Sequence, residues 1–216
     1  MTITTRPEAS VWRRAGRFAK RVLMLELHIY ASIGRFVARR PAIPPGAAGF
    51  GFHKPVLSIL IVFIVLSAVE IPIVDLIVHP WPVVRIPLLV VGIWGVTWMI
   101  GLLCAYLMRP HTVGPEGINV RGGLETDVAL SWADIASVAR DRRIDQPKAP
   151  KFVESEGCRT LMLRINDETV IEIELERPTV VRLPGHGTNG GEQMVTAVRI
   201  WVDDAQAFMD EVRKYI

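Results

Sequence analysis

The sequence predicts a membrane-bound α + β protein: an N-terminal amphipathic helix, a two-helix transmembrane hairpin and a C-terminal seven-stranded antiparallel β-barrel capped by a helix. Three observations carry that prediction. Two long apolar stretches lie at 56–78 and 86–108, a helical-period pattern with arginine on one side precedes them, and a period-two pattern with turn signals follows them. Half of the chain is hydrophobic and its mean hydropathy is +0.30, high for a soluble protein. The chain divides accordingly into an arm and linker (1–54), the hairpin (55–109) and a domain (110–216). Cys104 and Cys158 fall in different segments, so no disulfide framework is expected.

At 100° per residue, Ser10, Arg14, Arg17, Arg21, His28, Ser32, Arg35 and Arg39 share one stripe of the arm, and Val11, Ala15, Phe18, Val22, Ile29, Ile33 and Val37 fall opposite. A helix of this kind lies in the membrane interface, held by apolar burial and by anionic headgroups. Arg14, Arg17, Arg21, Arg35 and Arg39 are therefore candidate lipid contacts. The plainer alternative is a helix packed on the rest of the protein or on a second copy. Glu26 interrupts the apolar face, where it needs a cation such as Arg109 or Lys54. Glu26 and His28, with no cleavage site after them, disfavour a secretory signal despite Arg13-Arg14. The segment PAIPPGAAGFGFHKP is expected to be a loop.

Each apolar stretch is long enough, at about 1.5 Å per residue, to cross roughly 30 Å of hydrocarbon. HPWPVVR joins them, its prolines punctuating the hairpin and Trp81 suiting the headgroup level. Ten lysines and arginines precede residue 55, Arg85 alone lies in the connection, and fourteen follow from Arg109. Both termini are thus expected in the cytoplasm, for a multi-pass membrane protein. Thr97, Gly101 and Ala105 form a small-residue row suited to close helix packing, within the chain or between copies.

After Pro110, candidate strands are Gly117 to Arg121, Thr126 to Ser131, Ile135 to Asp141, Arg159 to Ile165, Thr169 to Leu175, Thr179 to Leu183 and Val195 to Val202. Gly122-Gly123, Asn166-Asp167 and Arg177-Pro178 read as turns between them, and Pro184 to Gly191 as a longer loop. Asp203 or Asp204 can cap a final helix whose Ala207, Phe208, Val212 and Tyr215 or Ile216 share a face. The run TVGPEGINVRGGLETDVALSWADIASV, with Trp132, Asp134 and Ile135, resembles the opening of bacterial pleckstrin-homology-like domains, and IWVDDAQAFMDEVR resembles their last strand and helix. The whole chain also resembles two-span actinobacterial membrane proteins. That resemblance implies an architecture and no particular activity. In eukaryotic pleckstrin-homology domains, cations in the first hairpin loop commonly bind phosphoinositides. GINVRGGLETDVAL departs from that pattern, offering only Arg121 beside Glu125 and Asp127.

The basic run RDRRIDQPKAPK is the better candidate for a lipid-facing loop, through Arg140, Arg142, Arg143, Lys148 and Lys151, with a merely solvated loop as the alternative. Residues 109–216 carry fourteen positive and eighteen negative side chains, which argues against nucleic acid as partner. Glu70 lies about 21 Å into the first span at 1.5 Å per residue, and Asp75, His79 and Arg85 lie toward its outer end. These four form a candidate intramembrane polar cluster, either a metal or proton site or a structural pairing. No cofactor is expected, although a metal there is conceivable, and no catalytic signature is present. The leading expectation is a non-enzymatic membrane protein that presents its domain at the cytoplasmic face as a protein-binding or scaffolding module. The alternatives are a metal- or cofactor-dependent enzyme or proton-linked accessory centred on Glu70 and His79, and an anionic-lipid sensor; homo-oligomers fit any of them.

Overall fold

Residues 8–124, 126–144, 152–155, 158–183 and 191–216 are described by the computed structural model. The two central helices are α2 (Lys54–Ile77) and α3 (Pro82–Met108), each opening on a proline whose missing N–H costs nothing in a first turn. Both are long and apolar enough to cross a membrane. Helix α2 buries no residue and continues through Pro72.

Helix α1 (Glu8–Val37) packs on α3. Leu25, Ile29 and Ile33, one helical turn apart, meet Trp98, Leu102 and Ala105, and Ile29 is fully buried. The fit depends on Gly101, because a Cβ there would stand 2.1 Å from Cγ2 of Ile29. The small-residue row of α3 therefore receives the arm. Ser32 is buried at the same face and donates to the His28 carbonyl at 2.7 Å. Beside this packed face, Leu23, Leu27, Tyr30 and Val37 remain exposed. After the helix Arg39 takes φ +52°, and Ala42 N–H closes the end of α3 by donating to Met108 O at 2.8 Å.

Strands β1 (Ala48–Phe50), β2 (His111–Gly114), β3 (Gly117–Gly122) and β4 (Thr126–Ser131) form one antiparallel sheet in that order. Strands β5 (Ile135–Arg143), β6 (Phe152–Ser155), β7 (Cys158–Leu163), β8 (Thr169–Leu183) and β9 (Gly191–Ile200) form a second, in the order β5-β8-β9-β7-β6. Alternation drives their packing: Val113, Ile118, Val120, Val128 and Leu130 from the first sheet share a core with Ile171, Ile173, Val198 and Ile200 from the second. Helix α4 (Ala205–Val212) adds Phe208 and Val212 to it. Trp132, in a short 3-10 turn between the sheets, donates to Gly114 O at 2.9 Å and stacks on Tyr215.

The expected closed barrel of seven antiparallel strands is replaced by these two sheets, in which β7 and β9 pair in parallel. The two strands expected at Thr169 to Leu175 and Thr179 to Leu183 are one strand, β8. Arg177-Pro178 lies in its register shift between Glu174 and Thr179, a bulge where proline's missing donor is tolerated, and makes no turn. The linker expected as loop contributes β1, paired Ala48 with Val113 and Phe50 with His111. Arg140, Arg142 and Arg143, expected in a loop, stand on edge strand β5, where charge guards an open edge. Arg142 pairs there with Glu168 and Arg143 with Asp141. Lys148, Lys151, His186 and the side chains of Arg14, Arg17 and Arg21 lie outside the described residues.

Replacing Gly101 by Leu should detach the arm from α3 and lower stability in detergent by about 1–3 kcal/mol, the cost of overpacking. Gly95→Ala, where the new Cβ meets nothing within 4 Å, should leave the melting temperature unchanged or slightly raised.

Candidate functional site

The segment Gly49-Phe50-Gly51-Phe52 joins the hairpin to the domain, and its two aromatic rings anchor different partners. Phe50 meets Phe208 of α4 edge to face at 5.1 Å, and Phe52 meets Tyr106 of α3 at 5.7 Å and the His111 ring at 4.6 Å. The first turn of α2 holds no acidic residue, and His53 at its N-cap makes no side-chain cap. Its free amides are served from the far end of the sequence. Asp203 accepts from His53 N–H at 3.0 Å and from Lys54 N–H at 3.1 Å, and its own N–H donates to Gly51 O at 2.8 Å. The indole of Trp201 donates to the same carboxylate at 3.3 Å. A carboxylate at a helix N-terminus satisfies orphan amides and complements the dipole. Gly51 permits the approach, since a Cβ there would lie 3.0 Å from Oδ2 of Asp203. The neighbouring Asp204 caps α4 through Ala207 N–H at 3.0 Å. The two adjacent aspartates thus cap different helices.

His111 is fully buried in β2. Its Nδ1 accepts from Arg121 N–H at 3.0 Å, which leaves the proton on Nε2 to donate to Trp201 O at 3.1 Å. Burial pushes its pKa down to about 4, against a smaller opposing effect of the Trp201 carbonyl, so the ring is neutral at physiological pH.

Arg109 and Arg121 share Asp127, with nitrogens 3.5 and 3.4 Å from its Oδ2. Arg109 also donates to Leu124 O, and Arg121 to Ala42 O and, at 3.3 Å, to Pro110 O. Arg109 is thereby committed to the domain and is not the partner of Glu26 that its position suggested. Burial holds the Arg109 pKa below its usual value; Asp127 opposes the shift, while Arg121 and Arg35 add to it. This convergence of α1, α3 and the β3–β4 hairpin was missed because its members are scattered between residues 35 and 127.

Toward the other end of the hairpin, Arg85 makes a bidentate pair with Asp75, Nε to Oδ1 at 2.6 Å and Nη2 to Oδ2 at 2.9 Å. Glu70 joins these two residues in lining a cleft of about 290 Å³ between α2 and α3. His79 does not line it. Among the described residues no three His, Cys, Asp or Glu side chains stand together as metal ligands. Cys104 is buried and Cys158 exposed, and neither forms a disulfide. No family model matches the chain, and no curated protein or solved structure gives a significant match.

Asp203→Ala should cost about 1–3 kcal/mol, because it leaves several amides unpaired at once, and should raise hydrogen exchange at residues 53 and 54. Asp204→Ala should cost about 1 kcal/mol and leave that exchange unchanged. For His111, the unfolded chain takes up a proton near pH 6.5 that the folded protein refuses until about pH 4. Stability present above pH 6.5 is therefore lost as pH falls through that window, by up to about 1.4 kcal/mol per pH unit. Unfolding of wild type beside His111→Gln at successive pH values reads this as a slope that the variant lacks.

Proposed function

We propose that this protein is a multi-pass protein of a bacterial inner membrane, with both termini cytoplasmic, that holds a pleckstrin-homology-like domain against the inner surface as a non-enzymatic docking module for a protein partner. The observation that carries this reading is the junction. Asp203, Phe52 and strand β1 tie the domain to the cytoplasmic end of the hairpin, so that its exposed edges would be offered in one orientation. A domain built only to be tethered does not need such a joint.

The distribution of cations supports the orientation, with Arg85 alone at the hairpin tip. The family reading rests on the Trp132-Asp134-Ile135 motif and on two packed sheets followed by a C-terminal helix sharing their core. The arm, with apolar Leu23, Leu27 and Tyr30 exposed and a basic stripe beside them, suits the inner interface. Strand β5, an open edge, is where a partner strand would add.

Cys158 is an exposed natural reporter of topology, and Cys104 is buried. A membrane-impermeant maleimide should label Cys158 in inside-out vesicles and not in intact spheroplasts. A photo-crosslinker at Ala139 on β5 should capture one reproducible protein in native membranes. Labelling from outside contradicts the orientation, and a folded protein that yields no reproducible adduct contradicts the docking role.

A further inference from the structure

The cleft between α2 and α3 holds polar groups that the rest of the chain leaves unanswered. Ser67, Glu70 and Asp75 of α2 line it, with Arg85, Gly92 and Gly95 of α3, among aliphatic side chains. Arg85 is matched by Asp75 through their bidentate pair, so the lining keeps one negative charge in excess, on Glu70. Among the described residues nothing donates a hydrogen bond to the Glu70 carboxylate, and the Ser67 hydroxyl, one helical turn before it, has no partner either. A lone carboxylate within a membrane-length helix is costly unless something neutralises it. Two glycines shape the space beside it. A Cβ on Gly92 would stand 3.0 Å from Cγ1 of Ile71, so that residue lets α2 approach, whereas a Cβ on Gly95 would meet nothing within 4 Å. The helices thus close at one level and leave an open volume one turn further on.

We propose that this cleft binds a small hydrophobic ammonium ion, with Glu70 as its counter-ion and Ser67 as a second acceptor. The ammonium N–H groups donate to both oxygens, which share one face of α2. The charge of the ion cancels the excess on the lining, and its hydrocarbon part lies against Ile71, Val74, Leu89 and Met99. The volume of about 290 Å³ is that of a small-ligand site, apolar walls with a few placed polar groups. An inorganic cation suits it less. Among the described residues no three His, Cys, Asp or Glu side chains gather, and the aliphatic walls have no oxygen to offer a metal ion in place of water. Because the cleft lies between two membrane-length helices, a hydrophobic cation reaches it from the lipid. Such a site needs only a hairpin in the bilayer and does not depend on what the domain docks.

The full-length protein in phosphatidylcholine nanodiscs is equilibrated with labelled phenethylammonium, and the bound label is measured against empty nanodiscs. Saturable binding is expected, displaced by unlabelled phenethylammonium and neither by sodium chloride nor by phenethyl alcohol, the neutral counterpart. Glu70→Gln should weaken it about ten-fold or more, the coupling of one close charge pair. Gly95→Leu, which puts a side chain into the open volume, should weaken it as much, and it decides if Glu70→Gln does not fold. Glu116→Gln, which removes the same charge from an exposed position of the domain, should leave the affinity unchanged. Absence of saturable binding, or equal affinities of Glu70→Gln and wild type, would overturn the proposal. An unchanged affinity in Gly95→Leu would put the ion outside the cleft, and displacement by phenethyl alcohol as readily as by phenethylammonium would remove the role of charge; either would overturn it as well.

Discussion

Helix α2 begins with amide groups that nothing near it in sequence can satisfy, and the structure meets them with a carboxylate from the other end of the chain. At the start of a membrane-length helix the free N–H groups face an environment where water becomes scarce, so an acceptor must come from the protein. Asp203 is that acceptor. Because it sits between β9 and α4, capping α2 brings the closing elements of the domain to the hairpin's edge. Gly51, Phe52 and Trp201 are then placed by the same contact. Strand β1 extends the first sheet beyond β2, and His111, its register partner at Phe50, is a neutral ring whose two nitrogens are both engaged.

The arm is held by a different kind of force. Its packing on α3 is steric, set by Ile29 over Gly101, and the charge it brings is set by Arg35. The charge of Arg35 is felt at Arg109, which it helps to hold below its usual pKa. Arm, hairpin and domain thus depend on one region around residues 42, 53, 109, 121 and 203.

Features governed by local pattern were legible in the sequence. Both membrane-length helices follow from long apolar runs, α1 from its 3.6 period, and β3, β4 and β5 from alternation between turn residues. Features set by distant partners were not. The three residues of β1 are masked by proline and glycine around them, and their partner β2 begins after both central helices. Arg177-Pro178 has the composition of a turn, and only the neighbouring strand β9 makes it a bulge. The parallel pairing of β7 with β9 has no local signature. Asp203 and Asp204 carry the same signal, and their division between two helices depends on where the hairpin lies. Asp75 and Arg85 were singled out together and do pair, but His79 falls in the turn beyond Ile77, where α2 has ended, and does not line the cleft.

Asp203 joins the domain to the hairpin, and that joint predicts a single fixed arrangement of the two. The most direct measurement is the distance distribution between spin labels at Val62 on α2 and Arg213 after α4, both exposed, in the full-length protein in lipid nanodiscs. A single narrow distribution that broadens in Asp203→Ala is the expected result. A broad distribution in the wild-type protein would show a domain swinging on a flexible linker and would contradict it.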